Sequence, residues 1–88
     1  MLVLALRMKT TAYFEQKLLE RPEIRREWCQ QVIENPIKEV QPDGRVRYRG
    51  IITDYGNKVL RVVTLEDRET IHNAFFDRNT KRYQQEQR

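Results

Sequence analysis

The chain has 88 residues, of which 34% are charged and 39% are hydrophobic, and its formal net charge is +4. This length accommodates one domain with a small core, so we expect one domain in these residues and not two. The basic balance favours an anionic partner, which is a nucleic acid, an acidic protein or an anionic membrane surface, without choosing among them.

The sequence contains one cysteine, Cys29, and one histidine, His72. A lone cysteine cannot form a disulfide within the chain, which favours the reducing cytoplasm. One cysteine and one histidine do not supply a usual zinc ligand set, so we expect no metal and no cofactor. The apolar run before Arg7 is too short for a secretion signal or a membrane span, so we expect no membrane partner.

Two short helices are predicted after residues 1–9, which form either a flexible extension or a short edge strand. The first helix covers 11–20 and has Thr10 and Thr11 as N-cap candidates. The second is predicted to begin at Pro22, because proline suits the first helical turn, and to end at Asn35. Its apolar stripe predicts core positions. These are Ile24, Trp28, Cys29, Val32 and Ile33.

From residue 37 the hydrophobic period changes to two, which predicts strands over 37–41, 45–54, 58–65 and 70–76. Short turns join them, so the sheet is antiparallel. The sequence therefore predicts an α+β fold of order α-α-β-β-β-β, with both helices on one face of the sheet. This single domain covers 10–78, and a polar tail over 79–88 is either a frayed helix or disordered.

A two-residue hairpin turn at Gly56 and Asn57 would set the register of the central strands. It places Ile51 opposite Val62, and it puts one set of side chains on the outer face: Arg47, Arg49, Ile51, Lys58, Leu60 and Val62. The other set faces the helices: Val46, Tyr48, Ile52, Val59, Val63 and Leu65, with Arg61 as the one charge among them. A slip of one residue would exchange the two faces.

The outer face has two interpretations. As a functional surface, it binds RNA phosphates through Arg47, Arg49 and Lys58, with Tyr48 or Tyr55 at its margin to stack bases. As a structural surface, it is a solvated face whose charges keep the protein from aggregating. The sequence leaves both open.

His72 is the candidate group for proton transfer, since its ordinary pKa lies near neutrality. In metal-free RNA cleavage a base removes the 2′-OH proton, and cations stabilise the charge that develops on the phosphate. The candidate cations are Arg61, Arg78 and Lys81. The alternative is a half-buried strand histidine bonded to the backbone. Asp77 beside Arg78 is either a carboxylate that holds an active-site arginine or half of a surface ion pair.

The layout resembles the small RelE/BrnT-like toxins, which are ribonucleases of toxin–antitoxin modules. The similarity is clearest in residues 59–63, in the last strand over 71–76 and in the basic run over 78–82. A small uncharacterised family of the same superfamily matches equally well. Its pattern is met at Glu20, Arg21, Ile24, Asn35, Pro36 and Gly50. The histidine common near the N-terminus of both groups is absent, and so is the early Trp-Asp of BrnT-type chains.

The resemblance implies a bacterial, cytoplasmic, metal-independent endoribonuclease that an acidic antitoxin would cover. It carries over only Arg78 and Lys81, as RNA-contacting or catalytic cations. Arg82, which belongs to the same basic run, is a further expected RNA contact. The alternative function is a non-catalytic α+β module that binds protein or nucleic acid. A toxin fold retained only as a scaffold and a homodimer are also left open.

Overall fold

The computed structural model describes residues 8–34 and 38–78. Two helices, α1 (Ala12–Glu20) and α2 (Arg26–Ile33), precede four strands. The strands are β1 (Lys38–Val40), β2 (Val46–Ile52), β3 (Lys58–Thr64) and β4 (Ile71–Phe76). They form one antiparallel sheet in the order β1-β2-β3-β4. The predicted α+β fold of order α-α-β-β-β-β is confirmed. No helix in the described ranges is long and apolar enough to cross a membrane.

Helix α1 begins where the sequence predicted, with Thr11 as its N-cap. The Thr11 hydroxyl accepts a hydrogen bond from the Phe14 N–H at 3.1 Å, which satisfies one of the free donors of the first turn. The Glu15 carboxylate binds Arg26 of α2 at 2.9 Å and also accepts from Thr10. These hydrogen bonds lower the pKa of Glu15 to about 2, so the link between the helices stays charged at neutral pH.

The prediction that α2 begins at Pro22 is wrong. Pro22 and Glu23 lie in a turn, in which the Ile24 N–H donates to the Arg21 carbonyl at 3.0 Å. Ile24 is only 6% exposed and joins the core from this turn. Proline is compatible with a first helical turn but does not require one. The burial of Ile24 favours the turn at Pro22 and Glu23 over a helix that begins there.

The core fills the space between the helices and one face of the sheet. Helix α1 packs against β4, and α2 packs against β2 and β3. The buried residues of this core are Phe14, Ile24, Cys29, Val32, Val46, Tyr48, Ile52, Leu60, Val62, Ile71 and Ala74. Burial raises the pKa of the Cys29 thiol to about 12, so it stays protonated and acts as a small core residue, as the apolar stripe predicted.

The predicted register of β2 and β3 is also wrong. A 3₁₀ turn (Thr53–Tyr55) precedes Gly56 and Asn57, whose φ angles are 64° and 57°, so the loop is longer than a two-residue turn. Ile51 therefore lies opposite Val59 instead of Val62. The odd shift exchanges the two faces of β3. Leu60 and Val62 belong to the core, while Val59, Val63 and Arg61 share the outer side with Arg47 and Arg49.

An irregularity in the pairing of β3 with β4 places His72. Val63 lies opposite Asn73 and Thr64 lies opposite Ile71, so His72 is the extra residue of a bulge. Ile71 also forms a parallel bridge with the chain before α1: its N–H donates to the Lys9 carbonyl at 2.8 Å, and its carbonyl accepts from Thr11 at 3.1 Å. This bridge brings the start of α1 beside His72.

Candidate nucleic-acid interface on the outer sheet face

The outer sheet face, the side of the sheet away from α1 and α2, carries Arg47 and Arg49 of β2 and Arg61 of β3. Arg49 lies directly opposite Arg61. Like charges at directly opposed positions destabilise a sheet unless other groups compensate for them. A nearby anion within the protein provides such compensation.

Asp77 supplies one such anion. Its Oδ2 lies 2.8 Å from Arg61 Nη2 and 3.0 Å from Arg61 Nε, and the side chains of Arg61 and Asp77 are 23% and 10% exposed. The backbone N–H of Asp77 donates to the Val59 carbonyl at 2.8 Å, which fixes the carboxylate beside β3. Asp77 thus binds Arg61 across the strands, and Arg78, the neighbour in sequence, is exposed.

Arg47 lies between two depressions on the outer face. The first has a volume of about 500 Å³ and is bordered by Lys38, Glu39, Arg47, Arg49 and Arg61. The second, the histidine groove, has a volume of about 410 Å³. The residues that line it include Tyr13, Gln41, Arg45, Arg47, His72, Asn73 and Phe75. With its amide oxygen toward Arg47, Gln41 accepts from Arg47 Nε at 2.8 Å.

His72 is held from two sides. Its Nδ1 lies 3.0 Å from the Thr11 hydroxyl oxygen, and its ring stacks on Tyr13 with centroids 4.9 Å apart. Burial and, secondarily, the positive charge of Arg45 lower the pKa of His72 below its ordinary value. The lowered pKa favours the neutral imidazole at pH 7. If Nδ1–H donates to Thr11, the Nε2 lone pair remains to accept a proton.

Two of the predicted RNA contacts do not lie where the sequence predicted. Tyr48 is only 3% exposed and belongs to the core, so it cannot stack a base. Lys58 is the first residue of β3 and pairs with the buried residue Ile52. Its Nζ lies 5.2 Å from the ring centroid of Tyr55. Lys58 therefore does not join the three arginines of the outer face, Arg47, Arg49 and Arg61. Tyr55 itself stacks on Phe76 at 4.6 Å.

Other predicted residues do come together. Arg61, which the predicted register turned toward the helices, joins Arg47 and Arg49, and His72 shares a groove with Arg47. Lys81 and Arg82 lie outside the described residues, so their predicted roles remain predictions.

Several residues of the histidine groove were not predicted from the sequence. Arg45 could have been found, because it continues the alternation of Arg47 and Arg49. Thr11 could not, because it is 61 positions from His72 in the chain. The bulge at His72 determines which face of the sheet Asn73 and Phe75 lie on, and no turn signal in the sequence predicts that bulge.

Thr11 has two roles, and its replacement by valine tests both. We expect the free energy of unfolding to fall by about 1 kcal/mol, because the N-cap hydrogen bond is lost. We also expect the imidazole nitrogen shifts of His72 to change in NMR spectra. Thr11→Ser keeps the hydroxyl and should preserve both properties. A valine variant as stable as the original protein, with unchanged His72 shifts, would contradict these roles.

The described structure is thus an α+β domain with an arginine-rich outer sheet face and a histidine in an adjoining groove. Within residues 8–34 and 38–78, no group of His, Cys, Asp and Glu side chains comes together in a way that could hold a metal ion. No protein-family model, curated protein or solved structure shows significant similarity to the chain.

Proposed function

We propose that the outer sheet face binds RNA and that the protein cleaves the bound strand without a metal ion. The observation that carries the proposal is the histidine groove, in which neutral His72 and the cation Arg47 lie together. Metal-free RNA cleavage needs a base that works near neutral pH beside a cation that stabilises phosphate charge. Arg49 extends the positive surface next to the groove.

In the proposed reaction, His72 Nε2 takes the proton of a ribose 2′-OH while Nδ1–H donates to Thr11. The 2′-oxygen then bonds to the adjacent phosphorus, and the bond from phosphorus to the 5′-oxygen breaks. The products are a 2′,3′-cyclic phosphate and a 5′-hydroxyl, whose proton comes from solvent. Arg47 stabilises the negative charge that builds on the phosphate oxygens. The RelE-like resemblance adds Arg78 and Lys81 as further cations.

A second candidate is RNA binding without cleavage. Two observations favour it: Asp77 already neutralises Arg61, and His72 is the one side chain in the described walls of the groove that titrates near neutral pH. In either case an acidic protein is a suitable partner, because its carboxylates would bind the same arginines as RNA phosphates. We therefore retain the acidic antitoxin and the cytoplasmic location as parts of the proposal.

Removal of Arg47 tests the binding half of the proposal. We expect Arg47→Ala to weaken binding of short single-stranded RNA at least about tenfold, because a hydrogen bond to a charged group contributes roughly 1.5–3 kcal/mol. The slope of log affinity against log salt should fall by about 0.7 for the lost phosphate contact. Fluorescence anisotropy with a labelled oligonucleotide over a salt series measures both quantities.

Arg25→Ala is the matched control. Arg25 is exposed, lies over the Trp28 ring at 5.6 Å and borders a different depression, so its loss changes the net charge without touching the outer face. Equal weakening by both substitutions would show that net charge alone attracts RNA. That result would overturn the outer face as the binding site.

A further inference from the structure

We infer that the histidine groove binds one unpaired base and prefers bases with an oxygen at pyrimidine C4 or purine C6, uracil and guanine, over those with an amine at that position, cytosine and adenine. This inference rests on the proposed function, since it assigns sequence preference to the same RNA-binding face. Its basis is the combination of a base-sized groove, an aromatic wall and two amides that offer donors.

The groove has the dimensions and walls of a base-binding site. Its volume of about 410 Å³ lies within the range of pockets that take small ligands, roughly 300–1,000 Å³. Phe75 lies on the outer face opposite Arg61 and forms one wall, and the stacked rings of Tyr13 and His72 contribute others. Aromatic side chains on an open sheet surface stack on unpaired bases, whereas bases in a duplex have no free faces.

The amide of Asn73 can offer only donors to a ligand. Its Oδ1 already accepts from Arg21 Nη1 at 3.1 Å and from the Ala74 N–H at 2.9 Å. Arg21 is itself fixed by a 2.7 Å hydrogen bond to the Ala74 carbonyl, so the amide cannot easily turn over. The NH₂ group of Asn73 is what remains for a ligand.

The amide of Gln41 has the same polarity. Its oxygen accepts from Arg47 Nε, which leaves its NH₂ group for the groove. Uracil O4 and guanine O6 accept hydrogen bonds, whereas cytosine N4 and adenine N6 donate them. Donors facing donors cannot pair, so two amides that meet the C4 or C6 substituent select bases with an oxygen at that position. Arg45 and Arg47 at the same groove can hold the phosphate of that nucleotide.

Short 2′-O-methyl oligonucleotides of uridine, cytidine or adenosine test the inference, because a methylated 2′-oxygen cannot attack the phosphate and binding is measured without cleavage. We expect uridine to bind about tenfold more tightly than the other two, as one well-placed base contact discriminates by a factor of this order. Phe75→Leu should lose about tenfold in affinity for uridine through lost stacking, and Phe75→Trp should keep it.

Asn73→Asp replaces the donor by acceptors in the same shape, so it should remove the preference for uridine and favour cytidine and adenosine. Gln31→Glu, an identical change of charge at an exposed position of α2, should keep the preference. Equal binding of the three oligonucleotides, unaffected by Phe75→Leu, would overturn the base preference while RNA binding stood. Failure of all three to bind would overturn the proposed function itself.

Discussion

Replacement of His72 by glutamine is expected to slow RNA cleavage by roughly 10²–10⁴-fold, the usual contribution of a general base. Glutamine can still form a hydrogen bond with the Thr11 hydroxyl, but its amide cannot take a proton from the ribose. Affinity for uncleavable RNA should therefore change little, because the phosphate contacts proposed for Arg47 and Arg49 do not involve His72. Single-turnover cleavage of a labelled RNA and anisotropy with its 2′-O-methyl analogue measure the two quantities.

The pH dependence of cleavage follows from the surroundings of His72. Because burial and Arg45 lower the pKa of His72 below 6.5, the base form is present at neutral pH. Cleavage should rise as pH increases through that lowered pKa and then level off. The same shift affects stability: the unfolded chain binds the proton more readily, so the free energy of unfolding falls as pH drops below 6.5. His72→Gln should remove this dependence.

Two results would change the assignment of His72. A His72→Gln protein that cleaves at the original rate would exclude the imidazole as the base. Intact protein, freed of any acidic partner, that binds RNA tightly and leaves it uncut would favour the non-catalytic candidate. Thr11→Ser, which keeps the partner of the imidazole, should retain cleavage and so serves as the control for handling and folding.

The largest expected effect on stability is that of Leu60→Ala, a loss of about 2–5 kcal/mol in the free energy of unfolding. Leu60 is fully buried in the core between the sheet and the helices. A domain of this size has a total stability of only about 4–13 kcal/mol, at roughly 0.05–0.15 kcal/mol per residue. The variant should therefore unfold at a much lower urea concentration or fail to fold.

Leu19→Ala is the matched control, because the same side chain on α1 is 78% exposed. Its cost should stay within about 0.5 kcal/mol. The pair also tests the strand register: on the two-residue-turn register Leu60 faces outward, and its truncation would cost little. Similar small losses at both positions, measured by urea unfolding followed by circular dichroism, would contradict the register described above.

The local features of this fold could be predicted from the sequence, because short-range patterns determine them. The hydrophobic period changes from helical to alternating at residue 37, which sets the order of helices and strands. Thr11 caps α1 through a hydrogen bond to a residue three positions away. The core role of Cys29 follows from an apolar stripe along one helix. Each of these depends on neighbours in the chain.

The candidate site depended on contacts that only the tertiary structure establishes. The 3₁₀ turn before Gly56 shifted β3 by three positions, which buried Leu60 and brought Arg61 to the arginines of β2. The bridge from Ile71 to the chain before α1 brought Thr11 to His72. Alternation along a strand specifies two faces but not which one is buried, because loop geometry and the gain from burying apolar side chains make that choice.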